Sequence, residues 1–193
     1  MSRYTNERQR AYCDMVLEKY FKKYKEVFGN GETAKVIARS INAGSTNSEN
    51  VDAIIKLFIV IFKGKGFSRE EAINFLNNNK RIFELPYTQV LTVLSLAETA
   101  GLSEQAVFER PGFIVRAHDL KKLYNSVRVC RNESKNPTLD RILELENESN
   151  REIEFKYEKS RIDMYRSLYK AKLMRNLKEQ EETQSGTLKR TEE

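Results

Sequence analysis

The sequence predicts an all-α protein: a short stack of two to three helical hairpin repeats with a period of 35 residues, an N-terminal helix before them and a long C-terminal helix after them. Three observations carry this. Glycine (8) and proline (3) are scarce among the 193 residues and tryptophan is absent; a chain so poor in breakers favours long helices over turn-rich sheets. Apolar residues fall at helical spacing near both ends of the chain. Glycine-led segments recur at a fixed interval between them. The expected segments are an amphipathic helix over 1–30, a repeat domain over 31–131, a linker and last helix over 132–180, and a disordered tail over 181–193.

Residues 6–28 place Cys13, Leu17, Tyr20, Tyr24 and Val27 on one helical face. Gly29 and Gly31 are expected to stop this helix. Gly31, Gly66 and Gly101 then open "NGETAKVIA", "KGFSREEAI" and "AGLSEQAVF", each followed by a polar opening and then Ala34, Ala72 or Ala106. The first repeat reads as a helix over 32–42 and a second over 47–63, with Thr46 and Glu49 as its capping box. In the second, Ser68 and Glu71 form a capping box; in the third, Ser103 caps alone because Ala106 stands at the box position. Short helices over 68–78 and 103–109 lead through tight connectors into "YTQVLTVLSLAETA" and "HDLKKLYNSVRVC".

The segment "GLSEQAVFERPGFIVRAHDLKKLY" places Pro111, Phe113 and Ile114 at set offsets, and the preceding repeat places Lys80, Ile82 and Phe83 in the same register. Over about residues 64–131 this organisation resembles the helical repeats of the mitochondrial transcription termination factor family, with Lys80 standing where the family pattern has proline. The resemblance implies a curved stack whose groove takes duplex nucleic acid. The pairs Ile82–Phe83 and Phe113–Ile114 are expected to seal the hairpins rather than stack on bases.

After "RNESKNP", Pro137 and Thr138 are expected to open one helix over about 138–180. Its first half is acidic, with a net −4 over 140–154, and its second half is basic, with a net +6 over 156–178. Ile162, Tyr165, Tyr169, Leu173 and Leu177 form an apolar stripe through the basic half. That stripe is expected to meet a partner or a second copy of the chain, in a homodimer with acidic half against basic half.

Thirty-four Lys and Arg against 28 Asp and Glu give a net charge of +6. Such a balance suits nucleic acid or an acidic protein as partner. Lys65, Arg69, Lys80, Arg81, Arg110, Arg116, Lys121, Lys122 and Arg128 recur at connectors and closing helices, where stacked repeats would align them along one phosphate-gripping edge. The only histidine, His118, lies in "RAHDLKK", where it or Asp119 can cap a helix. No phosphate loop, dinucleotide fingerprint or zinc-protease pattern occurs. Cys13 and Cys130 have no metal-site spacing and are expected to be free thiols. No catalytic residue, metal site or cofactor is expected, and the protein is expected not to be an enzyme.

The longest apolar run, "AIIKLFIVIF" at 53–62, is interrupted by Lys56 and is too short for a membrane span. With no hydrophobic signal region at the N-terminus, the expected location is the cytoplasm, without membrane contact. The Lys, Asn, Glu and Ile richness suggests a bacterial or phage source. The function expected first is a non-enzymatic nucleic-acid-binding module of regulatory kind. The alternative is a protein-binding adaptor or inhibitor, from a phage or mobile element, that uses the repeat surface and the last helix.

Overall fold

In a computed structural model, residues 2–116, 120–133, 138–147 and 159–190 are described, apart from the side chains of 2–6, 116, 121, 133, 146, 147 and 184–190. Every regular element among them is a helix, so the protein is all-α. The chain divides into two compact units: unit 1 comprises Met1–Tyr87 with Gly186–Glu193, and unit 2 comprises Thr88–Ser185. The division falls in the first turn of a helix, between Tyr87 and Thr88.

Unit 1 opens with α1 (Ser2–Phe28), which packs along α2 (Gly31–Asn42) and ends against α4 (Arg69–Asn78). The long apolar run becomes α3 (Ser48–Lys63), with Val51, Ile54, Ile55, Leu57, Phe58 and Ile61 buried and Lys56 exposed. Its cap is Asn47, whose side chain accepts from the Asn50 amide at 2.8 Å. This corrects the expected Thr46–Glu49 box by one residue: Thr46 instead accepts from the Asn50 side chain at 3.0 Å. The expected box at Ser68 and Glu71 is present, with both of its bonds made. A 3-10 turn over Lys80–Glu84 then buries Ile82 and Phe83. Asn50 binds the far side of that turn, donating to the Leu85 carbonyl at 2.9 Å and accepting from the Tyr87 amide at 2.5 Å.

Unit 2 holds nearly all of α5 (Tyr87–Thr99), then α6 (Glu104–Glu109), α7 (Gly112–Arg116), α8 (Leu120–Glu133), α9 (Leu139–Asn147) and most of α10 (Lys159–Arg190). α8 packs on α9. The single helix expected over 138–180 is thus described as two, and residues 148–158 between them lie outside the described residues. So do His118, Asp119 and Pro137. The tail expected to be disordered from 181 continues α10 as far as Arg190. Its polarity suggested disorder, but Glu, Gln, Lys and Arg are good helix formers and Gly186 is its only breaker.

One helix-end closure recurs in the backbone, and Gly66 and Gly101, which precede α4 and α6, stand 35 residues apart in it. Gly44 (φ 73°), Gly66 (φ 82°) and Gly101 (φ 86°) are left-handed. In each case the next amide donates five residues back: Ser45 to Ser40, Phe67 to Phe62 and Leu102 to Ala97, all at 3.0 Å. This closure satisfies helix-end carbonyls and needs a residue without Cβ strain. Gly31 does not belong to the series. It is the first residue of α2, while Gly29 (φ 61°) ends α1 through its bond to the Lys25 carbonyl.

The two connectors also match. Asn79 (φ −123°, ψ 40°) and Arg110 (φ −128°, ψ 64°) end α4 and α6 with the same turn. The carbonyl of Asn79 accepts from Ile82 at 3.0 Å, and that of Arg110 accepts from Phe113 at 2.9 Å. Phe113 and Ile114 are buried, like Ile82 and Phe83. Eleven residues separate Ser68 from Asn79, and seven separate Ser103 from Arg110. The difference of four is about one turn at 3.6 residues per turn, so the shortened helix keeps the same face inward.

Candidate nucleic-acid interface

The nine cations expected to line one edge belong to different units and meet different fates. In unit 1, Lys65 is half-buried in the turn after α3, and Arg69 is exposed beside Glu70 and Glu71 in the first turn of α4. Lys80 pairs with Glu32 at 3.4 Å, whereas Arg81 next to it is exposed. In unit 2, Arg110 pairs with Asp140, which neutralises it; Lys122 is exposed on α8 and Arg128 is half-buried. The side chains of Arg116 and Lys121 lie outside the described residues. At least two of the nine, Lys80 and Arg110, are therefore held by carboxylates of their own unit.

Charge concentrates elsewhere. Residues 1–87 hold fifteen Lys and Arg against ten Asp and Glu, a net +5 of the whole chain's +6. Much of the excess lies on α1 and α2. Lys23 is neutralised by Asp52 at 2.6 Å, in a network that fixes α1 to α3. The Tyr24 hydroxyl completes it, 3.2 Å from Asp52 and 3.3 Å from the Ser48 carbonyl oxygen. Burial holds the Tyr24 hydroxyl well above the usual tyrosine range, and the Asp52 charge and hydrogen bond add to the effect. Lys19 lies 5.4 Å from the Tyr20 ring centroid and Lys25 lies 5.8 Å from that of Phe21.

Between α1 and α2 runs an open groove of about 360 Å³ lined by Leu17, Glu18, Phe21, Lys35, Ala38 and Arg39. Leu17, Phe21 and Ala38 give it an apolar floor. Glu18, Lys35 and Arg39 are exposed at its rim. Lys35 and Arg39 are one turn apart on α2, so their charges project from one face. Phe21 is steadied beside Gly31: a Cβ on that glycine would lie 4.0 Å from the ring edge. Sequence patterning missed this groove, because it placed Leu17 on the buried face of an isolated amphipathic helix and did not weigh Lys35 or Arg39. The signal that was present was the pair of cations at i, i+4 on a helix short enough to share its face with α1.

The apolar stripe of the last helix is not offered to a partner. Ile162 and Tyr169 are 1% exposed, Leu173 is 4% exposed, Tyr165 is buried and Leu177 is half-buried. Polar bonds beside the stripe tie α10 into unit 2. Arg166 Nε donates to Thr92 Oγ1 at 2.6 Å, Tyr169 donates to Glu104 Oε1 at 2.9 Å, and Lys172 pairs with Glu98. Thr92 to Glu98 and Arg166 to Lys172 are equal steps in the same sense, so α5 and α10 run parallel here. The stripe expected to form a dimer contact is therefore covered by the chain itself. Burial pushes the Tyr169 hydroxyl far up, and the neighbouring Glu104 and Glu98 charges reinforce the shift. Among its described side chains, the large apolar ones that α10 turns outward are Met164, Leu168 and Met174.

Neither Cys13 nor Cys130 is in a disulfide. Among the described residues no cluster of three or more His, Cys, Asp or Glu side chains is placed to hold a metal ion, and no helix is long and apolar enough to cross a membrane. No protein-family model matches the chain, nor does any curated protein or solved structure.

Proposed function

We propose that the protein is a non-enzymatic nucleic-acid-binding module of regulatory kind, with its phosphate-contacting face on unit 1. The observation that carries this reading is the net +5 of residues 1–87 together with Lys35 and Arg39 on α2, which are exposed and make no ion pair among the described residues. Uncompensated cations on a rigid helical surface are what a phosphate backbone recruits, through release of its counterions. The matching experiment is fluorescence anisotropy with labelled duplex DNA, single-stranded DNA and RNA across a salt series. Sub-micromolar binding at low salt with a steep salt slope is the expected result; no binding to any of the three at low salt sinks the reading.

The second reading is a protein-binding adaptor. Met164, Leu168 and Met174, which are 49%, 61% and 55% exposed on α10, favour it, since such apolar side chains gathered on one helix suit a protein surface. On this reading, replacing the three with Gln abolishes capture of a partner and leaves nucleic-acid binding unchanged.

A further inference from the structure

From the α1–α2 groove we infer that unit 1 takes an unpaired strand of nucleic acid, with one base lodged in the groove over Phe21 and its flanking phosphates held by Lys35 and Arg39. The inference rests on the nucleic-acid reading and narrows it to single strands. The groove combines an apolar floor of Leu17, Phe21 and Ala38 with two cations on one wall and a single acceptor, Glu18, on the other. Its volume of about 360 Å³ is at the small end of what accepts a compact planar ligand.

That chemistry discriminates between partners. A duplex shows its phosphates but keeps its base faces stacked, so Lys35 and Arg39 could grip it while the apolar floor stayed empty. An unpaired base has an apolar face to lay on an aromatic ring, donor groups for a carboxylate, and a phosphate on either side. Phe21 suits the platform: its ring is only half-buried and its edge rests beside Gly31. Lys25, at 5.8 Å from the ring centroid, adds a third positive charge beside it. The strand is thus matched by charge at the rim and by aromatic surface at the floor.

The test uses the full chain and a twelve-nucleotide strand carrying one 2-aminopurine, whose fluorescence is quenched on stacking. It is run as DNA, as RNA, and as the matched DNA duplex. The expected result is that a single strand, DNA or RNA, binds at least about tenfold tighter than the duplex at equal salt, with quenching on binding. Phe21→Leu, which keeps the floor apolar, lowers single-strand affinity about tenfold and removes the quench without changing duplex binding. Should Phe21→Leu disturb folding, the double variant Lys35→Gln, Arg39→Gln alters only exposed side chains. It lowers the single-strand salt slope by about 1.4, at about 0.7 per lost phosphate contact. Equal affinity for duplex and single strand, or single-strand binding unmoved by both sets of substitutions, overturns the inference and leaves the proposed function standing. Absence of all nucleic-acid binding at low salt overturns both.

Discussion

Two buried tyrosines set the pH response. The hydroxyls of Tyr24 and Tyr169 are both held above the usual tyrosine value by burial and by adjacent carboxylates. In the unfolded chain a tyrosine loses its proton near pH 10. Above that pH the unfolded state binds fewer protons than the folded one, so stability falls as pH rises. Their contribution is fully present below about pH 10 and is lost towards the folded values. Chemical denaturation at pH 8 and pH 10.5 is expected to show a loss at the higher pH that shrinks in Tyr169→Phe. At pH 8 the same substitution costs about 1–3 kcal/mol, because Glu104, only 8% exposed, loses the Tyr169 hydroxyl as a donor. Glycine makes a second contrast at this scale. Gly66→Ala forces a Cβ into the left-handed region and is expected to cost about 1–2 kcal/mol. Gly31→Ala, in the first turn of α2 with only an ordinary contact to Phe21, is expected to be neutral or to stabilise by up to about 1 kcal/mol. Equal losses in urea melts would place Gly31 among the helix-ending left-handed glycines.

At the scale of elements, what was legible in the sequence was whatever local chemistry decides. Ser68 with Glu71, and Ser103 alone, cap as their side chains require, and the Ile82–Phe83 and Phe113–Ile114 pairs are buried where the register puts them. Phe113→Ala is therefore expected to cost about 3–5 kcal/mol, while Phe67→Ala, at a position 42% exposed, costs far less. Thermal melts that fail to separate the two would remove Phe113 from the core. What was not legible depended on distance. The 35-residue spacing from Gly31 to Gly66 did not show that Gly29 is the left-handed residue before α2, because a sequence interval does not report φ. The stripe on α10 gave its apolar face but not what covers it: Thr92, Glu98 and Glu104 lie more than 60 residues away along the chain. Nor did the sequence show that Lys80 and Arg110 of the expected basic edge pair with carboxylates remote along the chain, Glu32 and Asp140.

At the scale of the whole molecule, the formal +6 conceals an uneven division: residues 88–193 carry nineteen bases against eighteen acids and are nearly neutral. Because screening confines exposed charges to about 8–10 Å at ordinary ionic strength, what matters for binding is which surface bears the excess. Charge reversals of equal size should then have unequal effects. Lys35→Glu with Arg39→Glu is expected to weaken nucleic-acid binding by more than about tenfold at low salt and to flatten its salt dependence. Arg175→Glu with Lys178→Glu, at exposed positions on α10, changes the net charge just as much and is expected to leave affinity within about twofold. Salt titrations of the two variants by anisotropy separate a local phosphate site on unit 1 from general attraction to a basic protein. Equal weakening by both would mean that net charge alone drives association, and the α1–α2 face would lose its claim to be the site.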